Sequence, residues 1–396
     1  MHASLLITHV RLPDGTPTDI AVAGGRIEEI GPNLRRGADV LREDGEGAMV
    51  LPEFVEGHTH LDKTNWGMPW YRNEVGPRLV DRIENERSWR ASTGHDAGAQ
   101  SLALARAFLA AGTTRLRTHV DIDTDAGLRH LNGVLATREA LSDVMEIQIV
   151  AFPQSGMRRR PGTEALLGDA LKEGADVLGA LDPALIDQDP VASLDTTFEI
   201  ANRHQKPIDI HLHEPGEIGA FTFNLLLDRV KALGMQGRVV VSHAFCLGML
   251  ADRERDVLLA RIADFDVALL TTAPSSVPVP ALRACIEAGV TLFAGNDGIR
   301  DTWTPFGTPD MLERAMLVGM RYDLRRDEDL ALAFDCVSTL GARACGFNDY
   351  GLHEGARADL VLVDAETLAQ AVVSRPVRKL VVTHGKIVAR HGVASI

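Results

Sequence analysis

The chain has 396 residues, 45% of them hydrophobic and 24% charged, a balance that suits a globular fold with a large core and leaves no low-complexity tract. Its formal charge of -14 is spread along the sequence, which argues against nucleic acid or an anionic membrane surface as a partner. No segment nears the roughly 20 apolar residues that span a bilayer, and the opening MHASLLITHV has no signal-peptide pattern, so the expected compartment is the cytoplasm.

In chain order, the first fifty residues alternate β-branched segments with turn signals: LLITHVRL, then Asp14-Gly15, then DIAVAGGRIEEIG with Gly24-Gly25 at its bend. This reads as a β-meander. From residue 53 the rhythm changes to short apolar runs separated by helix-length amphipathic stretches, as repeated βα units require. Eight runs follow one another. They are AMVLPEFVEGHTH, which ends at residue 60, TRLRTHVDID (114–123), EIQIVAFPQ (146–154), VLGALDPA (177–184), PIDIHLHE (207–214), RVVVSHA (238–244), VALLTTAP (267–274) and VTLFAGNDG (290–298). Spacers such as GAQSLALARAFLAAG and DTTFEIANRHQ carry apolar residues at helical spacing and stop at Gly or before Pro. The pattern predicts an α/β chain: a (β/α)8 TIM barrel over residues 53–345, with a doubly wound open sheet as the competing arrangement. Near the C-terminus come ADLVLVD (358–364) and KLVVTHGKIVA (379–389), the latter a hairpin about His384-Gly385. Residues 1–52 and 346–396 are therefore expected to join in one small composite β-sandwich.

In such a barrel, chemistry collects where strands run into loops on the C-terminal face. His58 and His60 end the first run, Gln154 the third, Asp182 the fourth, His211, His213 and Glu214 the fifth, His243 the sixth and Asp297 the eighth. One histidine or aspartate at a strand end is more often a hydrogen-bonded loop residue than a ligand. Repetition on strand after strand is what points to a site. The four cysteines, Cys246, Cys285, Cys336 and Cys345, form no CxxC pair and fit a reducing compartment, so histidine and carboxylate must hold any metal. Side chains two apart on a strand share a face, so His58 and His60 can reach one ion. Three imidazole nitrogens and a carboxylate, with a position left for water, make a catalytic zinc or ferrous site; His58, His60, His211 and Asp297 supply that set. The fourth run ends in GALDPA, with Asp182 and no lysine to bridge a second ion, so one divalent ion per subunit is expected, Zn2+ ahead of Fe2+. His119 and Asp121 cap the second run or brace the ligands, and Trp66, Trp70 and Trp89 are expected to pack over the barrel rather than line the pocket.

HxH on the first strand, single histidines on the fifth and sixth and Asp on the eighth together resemble the amidohydrolase superfamily, and within it the subgroup of cytosine deaminase and N-isopropylammelide isopropylaminohydrolase. The stretches VEGHTHLDK, RTHVDID, IVAFPQSG, GADVLGALDPA, HLHEPG, VVVSHAFC and GNDGIRDTWTPFG carry the resemblance, from about residue 55 to 309. It implies a metal-dependent hydrolytic deaminase acting on a small pyrimidine or triazine-type heterocycle, or else an N-dealkylating aminohydrolase of the N-isopropylammelide type, assembled as a homo-oligomer. A catalytically silent binding protein on the same fold is disfavoured, because no ligand or proton-handling residue is missing. The other deaminase design, with H-x-E and PCxxC, is absent.

Position by position, the resemblance implies that His58, His60, His211 and Asp297 bind the metal. His243 pairs with Asp297 around the attacking water, and Glu214 handles protons on the ring and the leaving amine. Lys63, Gln154, Asp182 and His213 are the expected substrate contacts, and Trp303 an expected pocket wall. Lys63 matches the dealkylase and Glu214 the deaminase, which tilts the leaving group slightly toward ammonia. Gly298 stands where cytosine deaminase has a carboxylate beside its substrate. The pocket is therefore expected to be larger and short of one acceptor, and cytosine to be a poor substrate. Lys63 is expected to favour an anionic or carbonyl-rich ring edge.

Overall fold

The structure, a computed structural model, describes residues 4–396. Its barrel strands are β1 (Phe54–Thr59), β2 (Thr113–Asp121), β3 (Glu146–Phe152), β4 (Val177–Leu181), β5 (Ile208–His211), β6 (Val239–Ser242), β7 (Ala268–Thr271) and β8 (Leu292–Ala294). Each pairs in parallel with the next in chain order. Just beyond β8, Asp297 bridges Thr59 in parallel, and its backbone N–H donates to the carbonyl of His58 at 2.8 Å. The eighth strand thus meets the first, which excludes the open sheet. Closure needs a close approach at this seam, because a Cβ on Gly295 would fall 2.6 Å from the backbone nitrogen of His58.

Strands β4, β5 and β6 are buried at every residue, as parallel strands covered on both faces must be. The covering helices follow from local chemistry. Helix Pro190–His204 begins with an Asp189 side chain accepting from Ala192 N–H and a proline in its first turn, and it buries Leu194, Phe198 and Ala201 on one face.

The first long apolar run of the sequence divides in two. Met49–Pro52 pairs antiparallel with Leu360–Val363, and only after Pro52, which has no N–H to continue the ladder, does the chain enter β1. Strands from both ends of the chain form a single nine-stranded sheet. It closes over a core of its own that includes Leu5, Ile7, Ile20, Val50, Leu360 and Val382. The fold is a TIM barrel with a β-sandwich built from both termini. The charged segment Leu41–Asp44, which pairs in parallel with Leu5–Arg11, carries no apolar alternation and gave no strand signal. No helix among the described residues is long and apolar enough to cross a membrane. Between β1 and β2 the chain makes an extra helix, α1 (Leu79–Thr93), whose buried residues are Ile83 and Glu86.

Candidate active site at the C-terminal mouth of the barrel

His58 lies in β1 with His60 just beyond it, His211 ends β5, His243 follows β6 and Asp297 follows β8. Ligand atoms of His58, His211, His243 and Asp297 all lie within 4.8 Å of one another. His60 joins through Asp297, its Nε2 standing 3.2 Å from Oδ1. His243 (φ 72°) and Asp297 (φ 65°) hold left-handed backbone without being glycine, at about 1–3 kcal/mol each, and such strain gathers where a turn must aim a side chain.

Hydrogen bonds fix which ring nitrogen is bare. Ser242 donates its hydroxyl to Asp209 Oδ1 at 2.7 Å, so its oxygen can only accept from His58 Nδ1 at 3.0 Å. That leaves the lone pair of His58 on Nε2. His60 Nδ1 faces the His119 carbonyl at 3.1 Å; a carbonyl only accepts, so the bare Nε2 of His60 points at an Asp297 oxygen. Two acceptors at that distance repel unless a cation lies between them. His58 Nε2 and both ring nitrogens of His211 and His243 are buried without a hydrogen-bond partner.

Burial holds His58 and His211 well below the usual histidine range, and burial with the charge of His213 brings His243 to about 3. Neutral imidazoles are what a metal requires. Burial opposes ionisation of Asp297, but the imidazoles of His60, His243 and His58 gathered around it outweigh that and hold the carboxyl well below its ordinary range. Tetrahedral ligands at about 2.0–2.1 Å from an ion stand roughly 3.3 Å apart. The His60–Asp297 separation of 3.2 Å matches that, His58–Asp297 is 3.8 Å, and His243–Asp297 is the longest at 4.0 Å. The donor set therefore fits a divalent ion.

Beside this cluster stands a second histidine unit. Asp182, also left-handed at φ 36°, accepts the backbone N–H of His213 at 2.6 Å and its Nδ1 at 2.7 Å. The His213 ring stacks on His243 at 4.4 Å. Burial would lower the His213 pKa, but Asp182 more than compensates and raises it. Glu214 has other contacts than a free proton shuttle would: Oε1 accepts from Ala184 and Leu185 N–H at 2.6 and 3.2 Å, and Oε2 from the Thr222 hydroxyl at 2.5 Å. It braces the loop that carries Asp182, and burial raises its pKa.

The opposite wall is ionic. Lys63, 3% exposed, donates to Gln154 Oε1 at 2.5 Å and has Glu86 Oε2 and Asp121 Oδ1 each at 3.5 Å. Three protein groups thus surround the ammonium; the Gln154 Oε1 is engaged by it, while no side chain or backbone group among the described residues accepts from the Gln154 NH2. Arg90 bonds Asp121 at 2.8 Å and Asp123 at 3.2 Å, and Trp303 Nε1 donates to Glu86 Oε2. Burial, with Glu86 and Asp62 nearby, drives the Asp121 carboxyl well above its usual range against the pull of Lys63.

Glu86 and Arg90 gave no functional signal in the sequence beyond their i,i+4 spacing, because α1 has no apolar stripe to mark its inner face. Phe152 was also missed, though it precedes Gln154 by two and so shares its face. Its ring stacks on His211 at 4.1 Å and packs in one cluster with Leu181, Ile83 and Trp303. The His119 ring lies against that of His58, tilted, with centroids 3.9 Å apart. Of the other tryptophans, Trp66 lies under the Arg300 guanidinium, Trp89 contacts Tyr71 and His95, and Trp70 is exposed.

Residues 43–389 match the model of the Amidohydrolase family. The chain belongs to this family. Its members are metal-dependent, and this member carries a histidine–aspartate cluster able to hold an ion. The N-isopropylammelide isopropyl amidohydrolase of Pseudomonas sp. strain ADP is 31% identical, over 94% of this chain and 93% of its own. The crystal structure of N-isopropylammelide isopropylaminohydrolase from Burkholderia multivorans superposes with a TM-score of 0.97 at 63% identity, covering 99% of this chain and 100% of that one. A 5-methylcytosine deaminase from Klebsiella pneumoniae, liganded with 5-fluorocytosine, gives 0.86 at 26% identity over 99% and 98%.

Proposed function

We propose that this amidohydrolase releases an amine from a ring carbon of a small oxo-heterocycle, with N-isopropylammelide the foremost substrate and ammelide and pyrimidines behind it. The observation that carries this is the full-length 63% identity to the Burkholderia aminohydrolase, together with an intact set of ligand and proton-handling residues. The slight tilt toward ammonia rested only on Glu214 matching the deaminase by residue type; the full-length 63% identity to an isopropylaminohydrolase weighs more, and the alkylamine becomes the expected leaving group.

His58, His60, His211 and Asp297 would hold one divalent ion, zinc ahead of iron. Such an ion supplies Lewis acidity and a nucleophilic water at neutral pH. The remaining work falls to the chain itself. Asp297 Oδ2, which faces His243 Nε2 at 4.0 Å, accepts a proton from the attacking water while His243 steers it. His213, whose protonated form Asp182 stabilises, donates from Nε2 to the leaving amine. Phe152, Leu181 and Trp303 exclude water from the ring, and the Gln154 NH2 donates to a ring carbonyl. Four unpaired, buried cysteines support a reducing compartment, the cytoplasm.

The test is kcat/KM for N-isopropylammelide, ammelide, cytosine and isocytosine on one zinc-loaded preparation, read as released amine. N-isopropylammelide should lead. A tenfold lead for cytosine would make the protein a cytosine deaminase and overturn the proposal.

A further inference from the structure

Asp301 lies four residues past Asp297, on the loop that also carries Trp303, and is 3% exposed. Its Oδ1 accepts the backbone N–H groups of Trp303 and Thr304 at 2.7 and 2.9 Å. That turn fixes the carboxylate plane and leaves Oδ2 with no hydrogen-bond donor among the described residues. Oδ2 also differs from the sealed, unpartnered atoms of the core in keeping some access to open space.

Gly298 shows where that oxygen points. Its backbone is not left-handed, so no conformational demand calls for glycine there. Room does: a Cβ on Gly298 would lie 2.1 Å from Asp301 Oδ2 and 2.9 Å from its Cγ. The carboxylate fills the space in which a side chain at 298 would stand, one residue from Asp297. It also lies within the fields of Lys63 and Glu86, on the wall where Lys63 holds Gln154 Oε1. An acceptor and a donor of fixed orientation therefore stand on one wall. Asp301 Oδ2 thus stands where an acceptor carried by a side chain at 298 would have stood.

We propose that Asp301 is a specificity-determining residue whose Oδ2 accepts the hydrogen of a substrate ring N–H while the Gln154 NH2 donates to a ring carbonyl, so that the site selects rings in the lactam form. This rests on reading the pocket as a heterocycle aminohydrolase. A lactam presents N–H and C=O side by side, and a site with a buried acceptor discriminates strongly against a ring unable to satisfy it.

The test is Asp301→Asn in the full-length, zinc-loaded protein. Asparagine keeps Oδ1 for Trp303 and Thr304 and replaces Oδ2 by an NH2. Metal content and circular dichroism should stay as in wild type. KM for ammelide should rise by about tenfold or more, with kcat changed less. Wild type should bind ammelide far more tightly than its ring-N-methyl analogue, and the variant should bind the two alike. Gly298→Ala, which pushes Oδ2 aside, should produce the same pattern without touching Asp301. Calorimetric titration of both rings reads the same contrast without turnover. Absence of amine release with the contrast intact would therefore remove the aminohydrolase reading and leave Asp301's role standing. Equal losses for ammelide and its N-methyl analogue in the variant, or no contrast between them in wild type, would overturn the proposal.

Discussion

Where β1, β5 and β6 open into the barrel mouth, His58 Nε2 and both nitrogens of His211 and of His243 lie buried without partners. On the β2–β3 side, Lys63, Arg90, Glu86, Asp121 and Asp123 each have an opposite charge within 4 Å. A polar group left unsatisfied in a closed site costs about 1–3 kcal/mol. The imidazole side is therefore half of an interaction that a ligand completes, whereas on the ionic side even the carboxylate oxygens without a hydrogen bond, Glu86 Oε1 and Asp121 Oδ1, face a cation at 3.6 and 3.5 Å, which suits that side to shaping and orienting. In the proposed reading one side binds and reacts, and the other holds Gln154 and Trp303 still while it does so.

The sharpest way to break this contrast is to remove an imidazole. His211→Ala should cost more than roughly 100-fold in metal affinity, since changes behind the ligands alone cost about 10–100-fold, and turnover should fall with the metal. Ser242→Ala, which leaves His58 Nδ1 unanchored, should fall inside that smaller range. Plasma mass spectrometry should find about one equivalent of ion in the untouched protein. Two tightly held equivalents, both required for turnover, would show that the His60, Asp62 and Asp121 group belongs to the binding side after all.

Next in size is the proton donor. His213→Asn should lower kcat by about 10^2–10^4 while keeping the metal. Glu214→Gln, whose amide oxygen still accepts from Ala184 and Leu185, should stay within about tenfold of wild type. If these results come out reversed, the role returns to Glu214, where the sequence alone had placed it.

Much of this site was legible because strand geometry makes it so. A parallel barrel delivers strand ends to one mouth, and His58, Gln154, Asp182, His211, His243 and Asp297 were identifiable from position in the run alone. What stayed hidden came from outside the strands. Glu86 and Arg90 sit on α1, a helix whose inner face is charged and so lacks an amphipathic signature. Asp301 was hidden for a different reason, since its place beside Asp297 depends on a glycine three residues earlier making room for it. The contacts of Glu214 and Lys63 are likewise set by neighbours distant in sequence, Ala184 and Glu86. The type of these two residues was readable, but whether their charge was free was not. In the sandwich, Leu41–Asp44 escaped notice because it is polar on both faces.

The ionic wall gives a smaller effect on turnover, whatever it costs in stability. Glu86→Ala removes one partner from a buried pair, which typically costs about 3–5 kcal/mol, and releases Lys63 and Trp303 together. KM should rise while metal content holds, and Glu86→Gln, which can still accept from Trp303 Nε1, should recover part of the loss. Unchanged KM in Glu86→Ala would show that the wall is merely structural and that Gln154 is oriented by something else.

The smallest effect tests where the two sides meet, at the Asp182–His213 pair. Asp182 raises the His213 pKa above its ordinary 6.5, so the folded protein binds this proton more tightly than the unfolded chain does. Its stabilising contribution is therefore full below about 6.5 and is lost as pH rises through the higher folded-state value. A single proton can change stability by no more than about 1.4 kcal/mol per pH unit, so the slope is shallow but measurable. Metal-free protein, melted between about pH 5 and 8, the range in which histidine titrates, should lose Tm as pH rises through the upper part of that interval. Asp182→Asn should flatten this limb, because an amide cannot hold an imidazolium as a carboxylate does. If the limb survives in Asp182→Asn, the proton belongs to another group, and His213 is not the charged donor that separates the reacting side of the mouth from the supporting one.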